Sequence, residues 1–146
     1  MASLIKEIEA VGAIVRQAIP NAIVKYQHIP EEPGKDMCVV QYISGGNESE
    51  TAYHYRIDRT FRIVWFGTSE VDCIRKLEIM ERTFGNTLQF KADGYRVITK
   101  SFGASQPFQT TGGAFAILAT LQAELRQARP QETYEKMQKI SVFINE

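Results

Sequence analysis

The sequence predicts an α+β fold: a mainly antiparallel sheet flanked by two principal helices, at about residues 3–18 and 69–84. Three observations carry that expectation. Ile and Val number 24 against 6 Leu, and 15 of the 146 residues are aromatic, a bias that suits a pleated, half-buried surface. From Tyr53 to Trp65 apolar and polar side chains alternate almost without a break, the pattern of a long strand with one wet face. Two other segments repeat apolar residues at helical spacing behind capping residues. At ~150 residues per domain the length fits one domain, 1–146, able to bury roughly two-thirds of its unfolded surface without a disulfide or metal.

Each element has a local reason. Leu4, Ile8, Val11, Ile14/Val15 and Ala18 form one helical stripe, with Ser3 as N-cap and Pro20 as stop. Asn21–Gln27 reads as a short strand. Two prolines and a glycine make 28–36 a loop. Met37–Ile43 resumes as a strand, and Ser44-Gly-Gly-Asn-Glu-Ser-Glu50 reads as a flexible turn before the long strand. Thr68 or Ser69 caps the second helix, with Asp72 placed for a capping box. Its expected stripe is Val71, Ile74, Leu77, Met80 and Phe84, and Gly85-Asn86 is its expected stop. Tyr95–Phe102 is another strand, followed by a polar excursion over Gly103–Gly113. Ala114–Gln127 stays open: its Ala, Leu, Gln and Glu favour helix, while Phe115, Ile117, Ala119, Leu121, Ala123 and Leu125 alternate like a strand. Ile140–Ile144 is an expected final strand.

Composition excludes several classes. Seventeen basic residues balance seventeen acidic ones, whereas a dedicated nucleic-acid module carries a basic excess to neutralise phosphates. The apolar runs are far shorter than the ~20 residues of a membrane helix, so no membrane partner is expected. The first residues lack the features of a secretory signal. Cys38 and Cys73 stand alone, without a Cys-x-x-Cys pair, which places the chain in a reducing cytoplasm as two buried thiols.

No pattern asks for catalysis or a cofactor. The histidines are His28, in the proline loop, and His54, on the polar side of the long strand; neither sits in metal-ligand spacing. The carboxylates Glu31, Glu32, Glu48, Glu50 and Asp72 fall in loops or a first helical turn, where solvation and capping explain them. Phosphate-loop, nucleophile-elbow and zinc-protease patterns are absent. The expectation is therefore a non-enzyme with no cofactor and no metal. Arg56 and Arg62 share the polar side of the long strand and Arg59 lies on the other; with Tyr53, Tyr55 and Phe61 between them they suggest a base-stacking sheet, but the glycine-aromatic consensus is missing.

Charge is unevenly spread. Residues 1–73 hold 7 basic and 10 acidic groups, residues 74–146 hold 10 and 7, and 31–50 alone has five acids against one lysine. Such patches can complement one another head-to-tail between copies, which closes a ring when the rotation allows. On that expectation the 31–50 acids face basic groups of the second half across a subunit junction.

The order helix, two or three strands, a long aromatic strand running straight into a helix, then three more strands resembles the tail terminator (tail-completion) proteins of tailed bacteriophages and defective prophages. The segment Tyr55–Phe84 carries it best, followed by Gly94-Tyr-Arg-Val-Ile98 and the Phe115–Gln127 and Lys139–Asn145 pair. The resemblance implies a homo-hexameric ring that caps the tail tube, stops its polymerisation and offers a surface for head docking. Implied partners are further copies of itself, the tail tube protein and the head-completion or connector protein. Genomic DNA would pass through the lumen without sequence-specific contact. The implied location is the head-proximal end of the virion tail, after assembly in the host cytoplasm. It also favours the strand for Ala114–Gln127 and makes two segments interface candidates: Gly45, Gly46, Asn47 and Glu48 in the first, Ser105, Gln106 and Phe108 in the second. Arg56, Arg59 and Arg62 join them as candidates for a junction or lumen. A head–tail joining or minor capsid protein is the near alternative. From another class, a ferredoxin-like module for a small ligand or RNA would instead need a closed apolar pocket with convergent polar groups.

Overall fold

A computed structural model describes residues 2–31, 33–110 and 112–130. The elements are α1 (Leu4–Ala18), β1 (Ile23–Tyr26), β2 (Met37–Ser49), β3 (His54–Gly67), α2 (Glu70–Asn86), β4 (Gln89–Ala92), β5 (Tyr95–Ala104), β6 (Phe108–Gln109) and β7 (Phe115–Ala128). This is the expected α+β architecture. One seven-stranded sheet runs β1-β2-β3-β7-β5-β4, with β6 on β7. Every pairing is antiparallel except β1 with β2. The expected strand Ile140–Ile144 lies outside the described residues.

Both helices pack on one face. Odd-numbered β3 residues, Ile57, Phe61, Ile63 and Trp65, share a core with Ile117, Leu121 and Leu125 of β7, Val11 and Val15 of α1, and Cys73, Met80 and Phe84 of α2. Side chains such as Phe61, Ile63 and Leu121 are fully buried, each stabilising the fold by roughly 1.5–3 kcal/mol relative to exposure. The alternation in 115–125 therefore decides its structure. β7 pairs with β3 from His54↔Ala128 to Gly67↔Phe115, so extended pairing overrides the helix propensity of its Ala, Leu and Gln.

Several local expectations need correction. Ser44–Ser49 is strand, not a flexible turn: β2 continues past a register shift at Tyr42/Ser44 and pairs Ser44 to Ser49 with Thr60 to Tyr55. The length of β3 supplies the partners that polar composition does not reveal. The hairpin tip is pinned as well, since Thr51 Oγ1 accepts from the backbone N–H groups of Tyr53 and His54, both at 3.1 Å. Gln89–Ala92 is a strand the apolar pattern misses; Asp93 (φ 50°) and Gly94 (φ 86°) form its left-handed turn into β5, and that Asp-Gly pair is a strong hairpin signal. The excursion after β5 contains β6, where Phe108 pairs with Ala116.

The helices are also rotated from their expected stripes. In α1 the buried positions are Glu7, Val11, Gly12 and Val15, with Leu4, Ile8, Ile14 and Ala18 only partly buried. Gly12 makes room for the Tyr26 ring, because a Cβ there would sit 2.6 Å from the Tyr26 hydroxyl and the ring would have to shift. In α2 the buried set is Cys73, Met80 and Phe84, while Val71 and Ile74 are exposed. Ser69 is the N-cap, its Oγ accepting from the Asp72 N–H at 3.1 Å, but the Asp72 carboxylate reaches back to the Thr68 N–H at 3.4 Å and not to the Ser69 N–H of the expected capping box. Gly85 does not stop the helix, which runs to Asn86 and caps at Thr87.

Candidate interaction surface

The face of the sheet opposite the helices is built from the even-numbered residues of β3 and β7, and no described helix covers it. Cross-strand register orders this face into three zones. At one end Val64 and Phe66 of β3 cluster with Met37 and Val39 of β2 and with Ala116 of β7, Leu118 packing against them. In the middle Arg62 lies between Gln41 and Thr120, and Thr60 between Ser44 and Gln122. At the far end Arg56 lies between Glu48 and Arg126, and Asp58 between Gly46 and Glu124.

The far end is a charge network. The Arg56 guanidinium donates to Glu48 and, at 3.1 Å, to Asp58, and lies 3.6 Å from Glu124. Arg126 donates through two nitrogens to Glu50 at 3.0 and 3.2 Å, the bidentate geometry that gives Arg–carboxylate pairs their specificity. His54 Nε2 lies 3.5 Å from the same carboxylate. Arg129 donates to Ser49 Oγ at 2.8 Å and stacks over the Tyr55 ring, 5.4 Å from its centroid. Glu48 and Glu50 are thus neutralised inside the chain, one by a residue of the second half.

Arg62 differs. It is half-buried and has no ion-pair or side-chain hydrogen-bond partner among the described residues. Next to it the apolar zone opens into a groove of about 530 Å³, floored by Val64, Phe66, Ala116 and Leu118 and walled by Ile29, Pro33 and Phe108.

Arg59 faces the other way. Its Nε donates to Glu7 Oε1 at 2.8 Å. Glu7 is fully buried and also accepts from the Tyr95 hydroxyl at 2.6 Å. The Ser3 N–H donates to that hydroxyl at 2.7 Å. Burial, followed by the Glu7 hydrogen bond, pushes the Tyr95 hydroxyl up to about 12. This cluster fastens the start of α1 to the sheet, so Arg59 is spent internally rather than offered to a partner.

The remaining expected site residues divide. Gly45, Gly46, Asn47 and Glu48 lie in β2 opposite Arg59, Asp58, Ile57 and Arg56. A Cβ on Gly45 would meet the Asp58 carbonyl oxygen at 2.4 Å, so the hairpin needs glycine there. The Ser105 N–H donates to the Leu118 carbonyl at 2.8 Å, Gln106 is exposed, and Phe108 walls the groove. Glu48 and Arg56 meet, and Phe108 joins the apolar zone; these two groups stay at opposite ends of the sheet. Glu7, Tyr95, Glu124 and Arg126 were not singled out from sequence. The spacing of Glu7 with Val11 and Val15, four and eight residues on, was the available sign of its burial.

Chemistry of other kinds finds no matching cluster among the described residues, where no three His, Cys, Asp or Glu converge to hold a metal. Both cysteines are buried and unpaired, and burial raises the Cys38 thiol to about 12. No helix is long and apolar enough to cross a membrane.

No family model and no curated protein matches the chain. One of the solved structures it resembles superposes with a TM-score of 0.57 at 13% identity, over 86% of this chain and 94% of its own. The name of that protein carries no functional word, and at this identity the likeness is one of fold alone.

Proposed function

We propose that this chain is a structural assembly protein of the tail-terminator kind: a ring-forming subunit that caps a phage tail tube, ends its growth and offers the surface on which the head docks. The observation that carries the reading is the sheet face that no described helix covers. The face is ordered and zoned, with a charge network, a half-buried arginine without a partner among the described residues and an apolar groove, and such a surface is suited to protein contact. The order of elements, a long aromatic strand entering α2 after only Thr68 and Ser69, supports the same reading. Its partners would be further copies of the chain, a tube protein and a head-completion protein, and its place the head-proximal end of the tail. Genomic DNA would traverse the lumen.

A small-ligand module has less support. The groove beside α1, about 390 Å³, falls in the size range of ligand pockets, but apart from the Tyr26 and Tyr42 hydroxyls its polar side chains are Glu9 and Gln27. The Gln27 amide is already committed to the Tyr42 backbone. Electron microscopy of tail tubes polymerised with the protein tests the proposal. Tubes of arrested length with a cap of density at one end are expected; unhindered tube growth and bare ends would overturn it.

A further inference from the structure

Among the described residues the sheet has two incompletely paired edges, one at each end of its strand order. β1 pairs with β2 only from Met37 to Val40. It is then stopped by Gln27, whose φ of 67° turns the chain away. The Gln27 side-chain amide takes the place of the next strand residue: it accepts from the Tyr42 N–H at 3.0 Å and donates to the Tyr42 carbonyl at 3.2 Å. Beyond that plug Ile43–Ser49 is held to β3 on one side and paired to no described strand on the other. At the opposite margin β4 pairs with β5 on one side only.

Each edge carries an apolar feature on the helix-covered side. Beside the β2 edge lies the groove formed by Leu4, Ile5, Ile8, Tyr26 and Tyr42, with Ile5 70% exposed. At the start of β4, Leu88 is 80% exposed, the most exposed large hydrophobic of the described residues. Strand alternation puts it on the same side as buried Phe90 and Ala92. On the other side of the sheet the edges differ in charge: Glu48 at β2, its side chain 66% exposed, and exposed Lys91 at β4.

We infer that the β4 edge of one copy adds to the Ile43–Ser49 edge of the next, Leu88 entering the groove beside α1 and Lys91 approaching Glu48. Four antiparallel steps separate β2 from β4, so the two strands run in the same direction. A rotation about an axis along the strands then sets β4 parallel to its new neighbour and continues the sheet from copy to copy. A two-fold axis would instead join like edges and leave groove and Leu88 unmatched. The occupant is therefore a second copy joined head-to-tail, a contact that closes into a ring or propagates. Main-chain bonds along the edge give affinity and the seated side chain gives register. This junction deepens the proposed ring, and rests on it only for closure.

Full-length chain carrying Ile5→Glu or Leu88→Lys, compared with the parent by light scattering over a concentration series, tests it. Both positions are exposed, so folding should persist and far-UV dichroism checks that. Each single variant is expected to weaken self-association by about 30-fold or more, as a central interface anchor does. The double variant should recover a substantial part through the new charge pair. Because Cys38 and Cys73 are fully buried, Ile5→Cys mixed with Leu88→Cys under a short bis-maleimide should give mixed dimers, and neither variant alone should. A parent chain that stays monomeric at every concentration, with Leu88→Cys slow to label because its own chain covers it, would overturn the inference. Like-with-like cross-links would too. Tubes capped by a chain lacking this junction would sink the junction alone; association through it without capping would sink the tail reading alone.

Discussion

The two faces of β3 are one strand read in two registers, and they teach opposite lessons about polar groups. On the helix-covered side Arg59 is the single charge in a row of aromatic and aliphatic residues, and it is held in a network of Glu7, Tyr95 and the Ser3 backbone. On the open side Arg56 shares its charge among Glu48, Asp58 and Glu124 in contact with water, while Arg62 stands without a partner among the described residues. Where water is absent a charge must be matched or it unfolds the protein. Where water remains, charges can be arranged for a partner at little cost to the fold.

That contrast can be broken by substitution. Glu7→Ala strands Arg59 and removes the acceptor of Tyr95, and an orphaned buried charge costs about 3–5 kcal/mol; urea unfolding should show a lower midpoint with an unchanged slope. Phe61→Ala on the same side should cost about 3–5 kcal/mol through the cavity it leaves. Gly45, paired with Arg59 on the helix-covered side, is a third site: Gly45→Ala forces a Cβ against the Asp58 carbonyl, and overpacking of this kind costs about 1–3 kcal/mol. Loss of amide protection confined to the β2–β3 hairpin is its expected signature in hydrogen exchange. Arg62→Ala should move stability by no more than about 0.5 kcal/mol while impairing any assembly that uses the open face; a large stability loss would mean that Arg62 has a structural partner.

A further effect concerns pH. Because the hydroxyl of Tyr95 is raised to about 12 from its ordinary value of 10, its contribution to stability is complete below pH 10. That contribution is lost as pH rises from 10 through about 12. Tyr95→Phe should flatten that part of the stability profile, measured by thermal melts between pH 9 and 12. An identical alkaline slope in both proteins would show that Tyr95 does not report the cluster.

Much of this was legible in the chain itself. The alternation of 53–65 named Ile57, Phe61, Ile63 and Trp65 as the buried side of β3, though Tyr53 precedes the strand and is exposed and Val64 on the other side is buried; the caps at Ser3 and Ser69 placed both helix starts. Arg59 stood out as the charge on the wrong side, but its partner lies 52 residues away, beyond any local pattern. Ser44–Ser49 looked like a turn because glycine, serine and asparagine are turn formers; only the length of the facing strand makes them β-structure. β4 was signalled by Asp93-Gly94 rather than by its four residues, too few for a period to register.

Side-chain periodicity and capping are local properties, so the sequence alone determined the α+β class, the two helices and the two-sided character of the central strand. It also determined that Glu48 and Glu50 carry an acidic excess that something must answer. Only the tertiary structure decided what answers it: Arg56 across the hairpin and Arg126 on a strand 76 residues away. It also decided that both described helices pack on one face of the sheet and that no described helix covers the other. Helix placement and pairing across the sheet depend on which distant surfaces fit together, and no local pattern encodes that.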